Sequence, residues 1–100
     1  MDELIGDVTD NTVDHRFELT LDGTMAELVY RLNGGRLVLM HTEVPEPLEG
    51  HGIGGRLVRA AVARARRDGL TVVPLCPYAR QWLEKHPDAV AGVAVDWEAR

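Results

Sequence analysis

The sequence predicts an α+β fold of mixed type, an antiparallel meander followed by a helix, a parallel strand and a second helix. Three observations predict it. Residues 16–32 alternate polar and apolar side chains with the period of two that belongs to a half-buried strand, and glycine-rich turns interrupt the alternation. From Ile53 the apolar residues recur instead every three or four positions, the period of an amphipathic helix. The short apolar run Leu70-Thr71-Val72-Val73-Pro74-Leu75 follows at the distance a helical crossover needs to reach a parallel neighbour.

In chain order, residues 1–15 are polar and acidic, with a short strand possible near Val8, and are expected to form a partly mobile terminus. Arg16 to Leu21 is the first strong strand. Asp22-Gly23 supplies a tight turn, and Thr24 to Leu32 returns as a second strand with Ala26, Leu28, Tyr30 and Leu32 on one face. Asn33-Gly34-Gly35 turns the chain again, and Arg36 to Val44, more apolar and so more central, is the third. Pro45 and Pro47 stop it because neither has an N–H for a ladder bond. The helix from Ile53 carries Leu57, Val58, Ala61, Val62 and Ala65 on one stripe and Arg56, Arg59, Arg66 and Arg67 on the other, and ends at Asp68-Gly69. Pro77 to His86 reads as the second helix, with proline in its first turn and Pro87 beyond its end. The tail, residues 90–100, has no assignable pattern, though Trp97 is expected to pack. One hundred residues suffice for a single domain with one core, and no repeat or linker divides them.

Composition narrows the function. A net charge of −5 argues against general nucleic-acid binding, which draws on a surplus of Lys and Arg. Six arginines nevertheless fall between Arg56 and Arg80, and a local basic patch on an acidic chain suits a small anionic ligand. The single cysteine excludes an internal disulfide and fits a reducing compartment. With an acidic start and no apolar run near membrane-span length, the expected location is cytoplasmic, with no membrane partner. The four histidines show no ligand spacing, so no metal is expected.

The chemistry centres on Glu49-Gly50-His51-Gly52-Ile53-Gly54-Gly55. Glycines let backbone N–H groups approach a ligand closely, and the helix that starts here aims its positive end at the same place, so the stretch reads as an anion cradle, most simply for phosphate. The alternative is a flexible connector. Gly50, Gly52 and Gly55 also satisfy G-x-G-x-x-G, but a dinucleotide fold needs a strand directly before the glycines and parallel strands around them, and here prolines and a meander stand in those places.

A strand, a break, a glycine-rich turn, a helix and a strand ending in Leu75-Cys76-Pro77 resemble the GNAT superfamily of N-acetyltransferases, whose signature is Gln or Arg, any two residues, Gly, any residue, then Gly or Ala. The segments Arg16-Phe17-Glu18, His41-Thr42-Glu43-Val44-Pro45, Gly50-His51-Gly52-Ile53-Gly54 and Val73-Pro74-Leu75-Cys76-Pro77-Tyr78 are similar to its small single-domain branch of YjdJ-like and animal N-acetyltransferase-domain proteins. The resemblance implies a compact GNAT-like fold and acetyl-CoA as cosubstrate, with an unidentified amine, small molecule or protein, as acceptor. It implies that Val44 bonds the pantetheine amides through its backbone and that the N–H groups of Gly50, His51, Gly52, Ile53, Gly54 and Gly55 hold the pyrophosphate. Glu49 departs from the pattern, since a carboxylate beside a pyrophosphate is electrostatically unfavourable. Arg56 and Arg80 are candidate phosphate partners by charge, or solvated surface arginines.

Cys76 reads two ways. A lone cysteine after an apolar strand is ordinarily a small buried hydrophobe, but this one stands at a helix N-terminus, where the dipole favours a thiolate. The matching cysteine of the resembled branch is a proposed catalytic residue. His41 and Glu43 share a face of their strand, opposite Met40 and Thr42, and either could take a proton from an attacking amine. Against this, His41 could be a hydrogen-bonded core histidine and Glu43 a plain surface residue. Tyr78 could protonate the departing thiolate or simply pack on the sheet. The expected activity is acetyl transfer to an amine, directly or through Cys76. The rival readings are a CoA-ester binding or sensing module and a regulatory interaction domain.

Overall fold

The computed structural model describes residues 7–99. Five strands lie side by side in chain order: β1 (Thr9–Asn11), β2 (Arg16–Leu21), β3 (Thr24–Asn33), β4 (Arg36–Glu43) and β5 (Thr71–Pro74). The first four are antiparallel, and β5 runs parallel to β4 after the crossover helix α1 (Ile53–Asp68), with α2 (Pro77–Lys85) following. This is the mixed α+β architecture that the sequence predicts, and it is consistent with a GNAT-like fold.

Local chemistry accounts for the boundaries. Asp22 and Gly23 take φ of 52° and 78°, and Gly34 and Gly35 take 56° and 82°, the paired left-handed conformations that let a two-residue turn match the twist of a hairpin. α1 ends where Gly69, at φ 68°, donates its N–H to the Ala65 carbonyl. The sheet turns Phe17, Leu19, Ala26, Leu28, Tyr30, Leu37 and Leu39 toward the helical layer, where they meet the stripe Leu57, Val58, Ala61, Val62 and Ala65 of α1. Leu32 has the same parity but is 43% exposed, because it stands near the tip of the β3–β4 hairpin.

The chain termini hold two arrangements beyond the sequence pattern. Of the stretch expected to be partly mobile, residues 1–6 lie outside the described residues, while Thr9–Asn11 pair with β2 and are pinned from above. The pin is Arg64 of α1, which donates to Asp10 at 2.7 Å, to the Tyr30 hydroxyl at 3.0 Å and to Asp68 at 3.0 Å, while Tyr30 donates to Asp10 at 2.6 Å. In the tail, the Val72 N–H donates to Ala94 and the Asp96 N–H to Val72, so this segment lies along the outer edge of β5. Arg36 fastens it through Asp96 at 2.6 Å, and Trp97 packs against the core.

Candidate functional site

The site begins where two strands part. β4 pairs with β3 along its whole length, but with β5 only from Arg36 to Leu39. Pro74 has no N–H to give, the Leu75 N–H turns back to the Val73 carbonyl, and Cys76 donates its N–H to Leu39 at 2.8 Å before the chain enters α2. Beyond Leu39, β5 supplies no partner to the backbone of residues 40–44.

A β-bulge marks the same point on β4. Val29 pairs with His41 and Tyr30 with Leu39, leaving Met40 as an extra residue. The bulge reverses the inside–outside alternation. Leu37 and Leu39 face the helices, and beyond the bulge it is Thr42, opposite Leu28, that continues this face, while His41 and Glu43 turn outward.

The glycine run closes the site from the other side. Gly52, at φ 70°, is the N-cap of α1, no side chain caps the helix, and no acidic residue lies in its first turn. Arg56 makes the first backbone bond, to the Gly52 carbonyl at 3.2 Å, so the N–H groups of Ile53, Gly54 and Gly55 project from the helix end. The glycines divide by cause. Gly50 and Gly52 have positive φ and open space where a Cβ would stand. Gly54 and Gly55 are ordinary helical residues whose Cβ atoms would lie 2.4 Å from the Tyr78 hydroxyl and 2.6 Å from Trp82 Nε1, so they let α2 approach α1.

Between these walls lies a cavity of about 340 Å³. β4 and its extension contribute Thr42 and Val44, the following turn Leu48 and Glu49, the glycine loop Gly50, Gly52, Ile53 and Gly54, and α2 Tyr78. Cys76, the N-cap of α2, is 3% exposed and meets the cavity wall through Thr42, its Sγ 3.2 Å from Thr42 Oγ1. Burial, and then the nearby Cys76, push the Tyr78 hydroxyl above its ordinary value of 10.0, so it keeps its proton at neutral pH.

Other sequence candidates fall elsewhere. His41 Nε2 lies 3.6 Å from Glu43 Oε1, and both side chains are more than 60% exposed on the outer sheet face, away from the cavity. Arg80 pairs with Glu84 at 3.6 Å and lies over the Trp97 ring, beside the tail rather than the glycine loop. Arg56 is half-buried in the first turn of α1, His51 is exposed at the loop, and neither lines the cavity. Sequence reasoning missed Thr42 and Leu48 as lining residues. Thr42 hides behind the bulge, which no residue pattern announces, and Leu48 reads as an ordinary apolar residue between prolines and glycines.

Residues 16–93 match the model of a protein family described as GCN5-related N-acetyl-transferase. The chain belongs to that family. It is also similar to protein NATD1 of mouse (Mus musculus) and of chicken (Gallus gallus), each 33% identical over 75 residues, covering 72% of this chain and 68% of the relative. Protein NATD1 of Homo sapiens matches at the same identity, with 66% of its length covered.

Proposed function

We propose that this protein transfers an acetyl group from acetyl-CoA to an amine. The observation that carries the reading is that the unpaired edge of β4 and the open N-terminus of α1 border one cavity. A strand edge suits the amide-bearing pantetheine chain, and projecting N–H groups with no acid in the first turn suit a pyrophosphate. The open space at Gly50 and Gly52 leaves room for its oxygens. Glu49 lines the same cavity, but its side chain is exposed and its backbone is held by an N–H bond to Glu46, so the carboxylate can turn to solvent when a pyrophosphate enters.

In the covalent route, Cys76 Sγ attacks as the thiolate at the thioester carbonyl carbon, the bond from that carbon to the CoA sulfur breaks, and the departing thiolate takes the Tyr78 proton. The amine then displaces the Cys76 sulfur as thiolate, the acetyl group moves to nitrogen, and the proton that the nitrogen sheds returns to the Tyr78 phenolate. In the direct route the amine attacks the thioester itself, and backbone N–H groups at the split polarise its carbonyl. A base role for His41 or Glu43 requires the amine to arrive from the outer sheet face. One observation favours the second reading, CoA-ester binding without turnover: among the described residues, the only titratable side chains lining the cavity are Glu49 and Tyr78.

No described helix is long and apolar enough to cross a membrane. That residues 1–100 form one domain, act in the cytoplasm and hold no metal is part of the same proposal, supported by the single core of the described residues and by the lone cysteine of the sequence.

The test is acetyl-CoA with a panel of polyamines, peptides and small amines, following free CoA thiol. We expect amine-dependent thiol release; CoA binding with no release for any amine would favour the binding module. Acetyl-CoA alone should add about 42 Da at Cys76 if the covalent route operates, and full activity of Cys76→Ala would remove that route.

A further inference from the structure

We propose that Thr42 is the positioning residue for Cys76, holding its sulfur toward the cavity and stabilising it as a thiolate. Cys76 is 3% exposed and is not part of the cavity wall, whereas Thr42 is, and Thr42 Oγ1 lies 3.2 Å from Cys76 Sγ. The hydroxyl therefore links the one thiol of the sequence to a residue of the cavity wall.

The contact spans the gap in the sheet. Thr42 belongs to the part of β4 that β5 has left, while Cys76 is fixed by its N–H bond to Leu39 and by its place as the N-cap of α2. One side-chain bond thus ties the free length of β4 to the start of α2. With a protonated thiol either atom can donate. With a thiolate only Thr42 can, and the bond becomes charge-assisted, so it strengthens on deprotonation.

The other titratable groups around this pair are few. Tyr78 faces the cavity from α2 and Glu49 from the loop, while His41 and Glu43 flank Thr42 in sequence but point to the opposite face of the sheet. None of these stands at hydrogen-bond distance from the sulfur in place of Thr42.

The inference rests on the acetyl-transfer reading only for its effect on turnover, and the hydrogen bond is testable without it. The experiment compares the pH profile of Cys76 alkylation by iodoacetamide in the wild-type chain, Thr42→Val and Thr42→Ser. Valine keeps the shape of threonine and removes the hydroxyl, while serine keeps the hydroxyl. Losing one hydrogen bond to a charged sulfur should move the Thr42→Val profile to higher pH by about 1 to 2 units, with Thr42→Ser staying near wild type. Should Thr42→Val fail to fold, Thr42→Ala is read in the same way. A profile unchanged on loss of the hydroxyl would overturn the proposal. If the profile moves while acetyl transfer does not, Thr42 positions Cys76 as proposed and the covalent route alone has failed.

Discussion

The two ends of the sheet are built on opposite plans. At the β1 end every residue of β1 pairs with β2 and every residue of β2 with β3, and side chains lock them further: Arg64 reaches from α1 to Asp10, Tyr30 and Asp68, and Arg16 bonds Glu18 and Glu27 across β2 and β3. At the β4–β5 end pairing stops after Leu39, and a hydrogen bond between Thr42 and Cys76 crosses the opening. The closed end spends its polar groups on its own chain. The open end leaves backbone groups and a helix terminus facing a cavity, as a ligand site requires. Substitutions at the closed end should therefore change stability, and substitutions at the open end should change binding and chemistry.

The largest expected effect on stability is at the closed end. Arg64 is held above its ordinary value although burial works against its charge, because Asp68, Tyr30 and Asp10 all hydrogen-bond it. Arg64→Met should cost about 1 to 3 kcal/mol in urea unfolding, by leaving Asp10 and the Tyr30 hydroxyl without that donor, while acetyl-CoA affinity stays the same.

Gly52→Ala at the open end is expected to cost about 1 kcal/mol, since alanine at φ 70° is strained, and to weaken acetyl-CoA binding besides, because its methyl group would enter the open space beside the helix N–H groups. Gly54→Ala sharpens the contrast. The added methyl must displace the end of the Tyr78 ring, while helix propensity offsets much of the strain. Stability should stay within about 1 kcal/mol of wild type while turnover falls, because Tyr78 has left the cavity wall.

A smaller effect is expected in acid. The hydrogen bond from Arg16, and then that from Asn11, hold Glu18 below its ordinary value of 4.5. A carboxylate depressed in the folded state stabilises the fold above its unfolded value, and this contribution fades as pH falls from about 4.5 through the folded value. Glu18→Gln should flatten that part of the stability curve without altering acetyl-CoA affinity. The smallest effect is expected at His41, on the outer face of the open end. If the amine reaches the thioester from the cavity, His41→Ala should change turnover less than about twofold, and a large loss would mean that the acceptor arrives from the outer face.

Most of the fold was legible because each element announces itself locally. Asp22-Gly23 and Gly34-Gly35 demand left-handed turns, the stripe from Ile53 to Ala65 demands a helix against a sheet, and Pro74 and Pro77 end the ladder beside Cys76. The glycine run was legible as a helix start with open N–H groups. It was not legible that two of its glycines serve helix packing, because Gly54 and Gly55 depend on Tyr78 and Trp82, more than twenty residues away. The direction of His41 and Glu43 was hidden for a similar reason. They do share a face, but one extra residue at Met40 decides which face, and the bulge arises from pairing with β3 rather than from any pattern within β4. Nothing in the sequence singled out Arg64, since its partners come from β1, β3 and the end of its own helix.

The central claim is that the opening between β4 and β5 holds acetyl-CoA, and titrating acetyl-CoA against unfolding stability tests it most directly. At ~100 times the dissociation constant the wild-type chain should gain about 2.7 kcal/mol, with a smaller gain for Gly52→Ala at the same ligand concentration. No stabilisation of the wild-type chain at millimolar acetyl-CoA, or an equal gain in both, would contradict it.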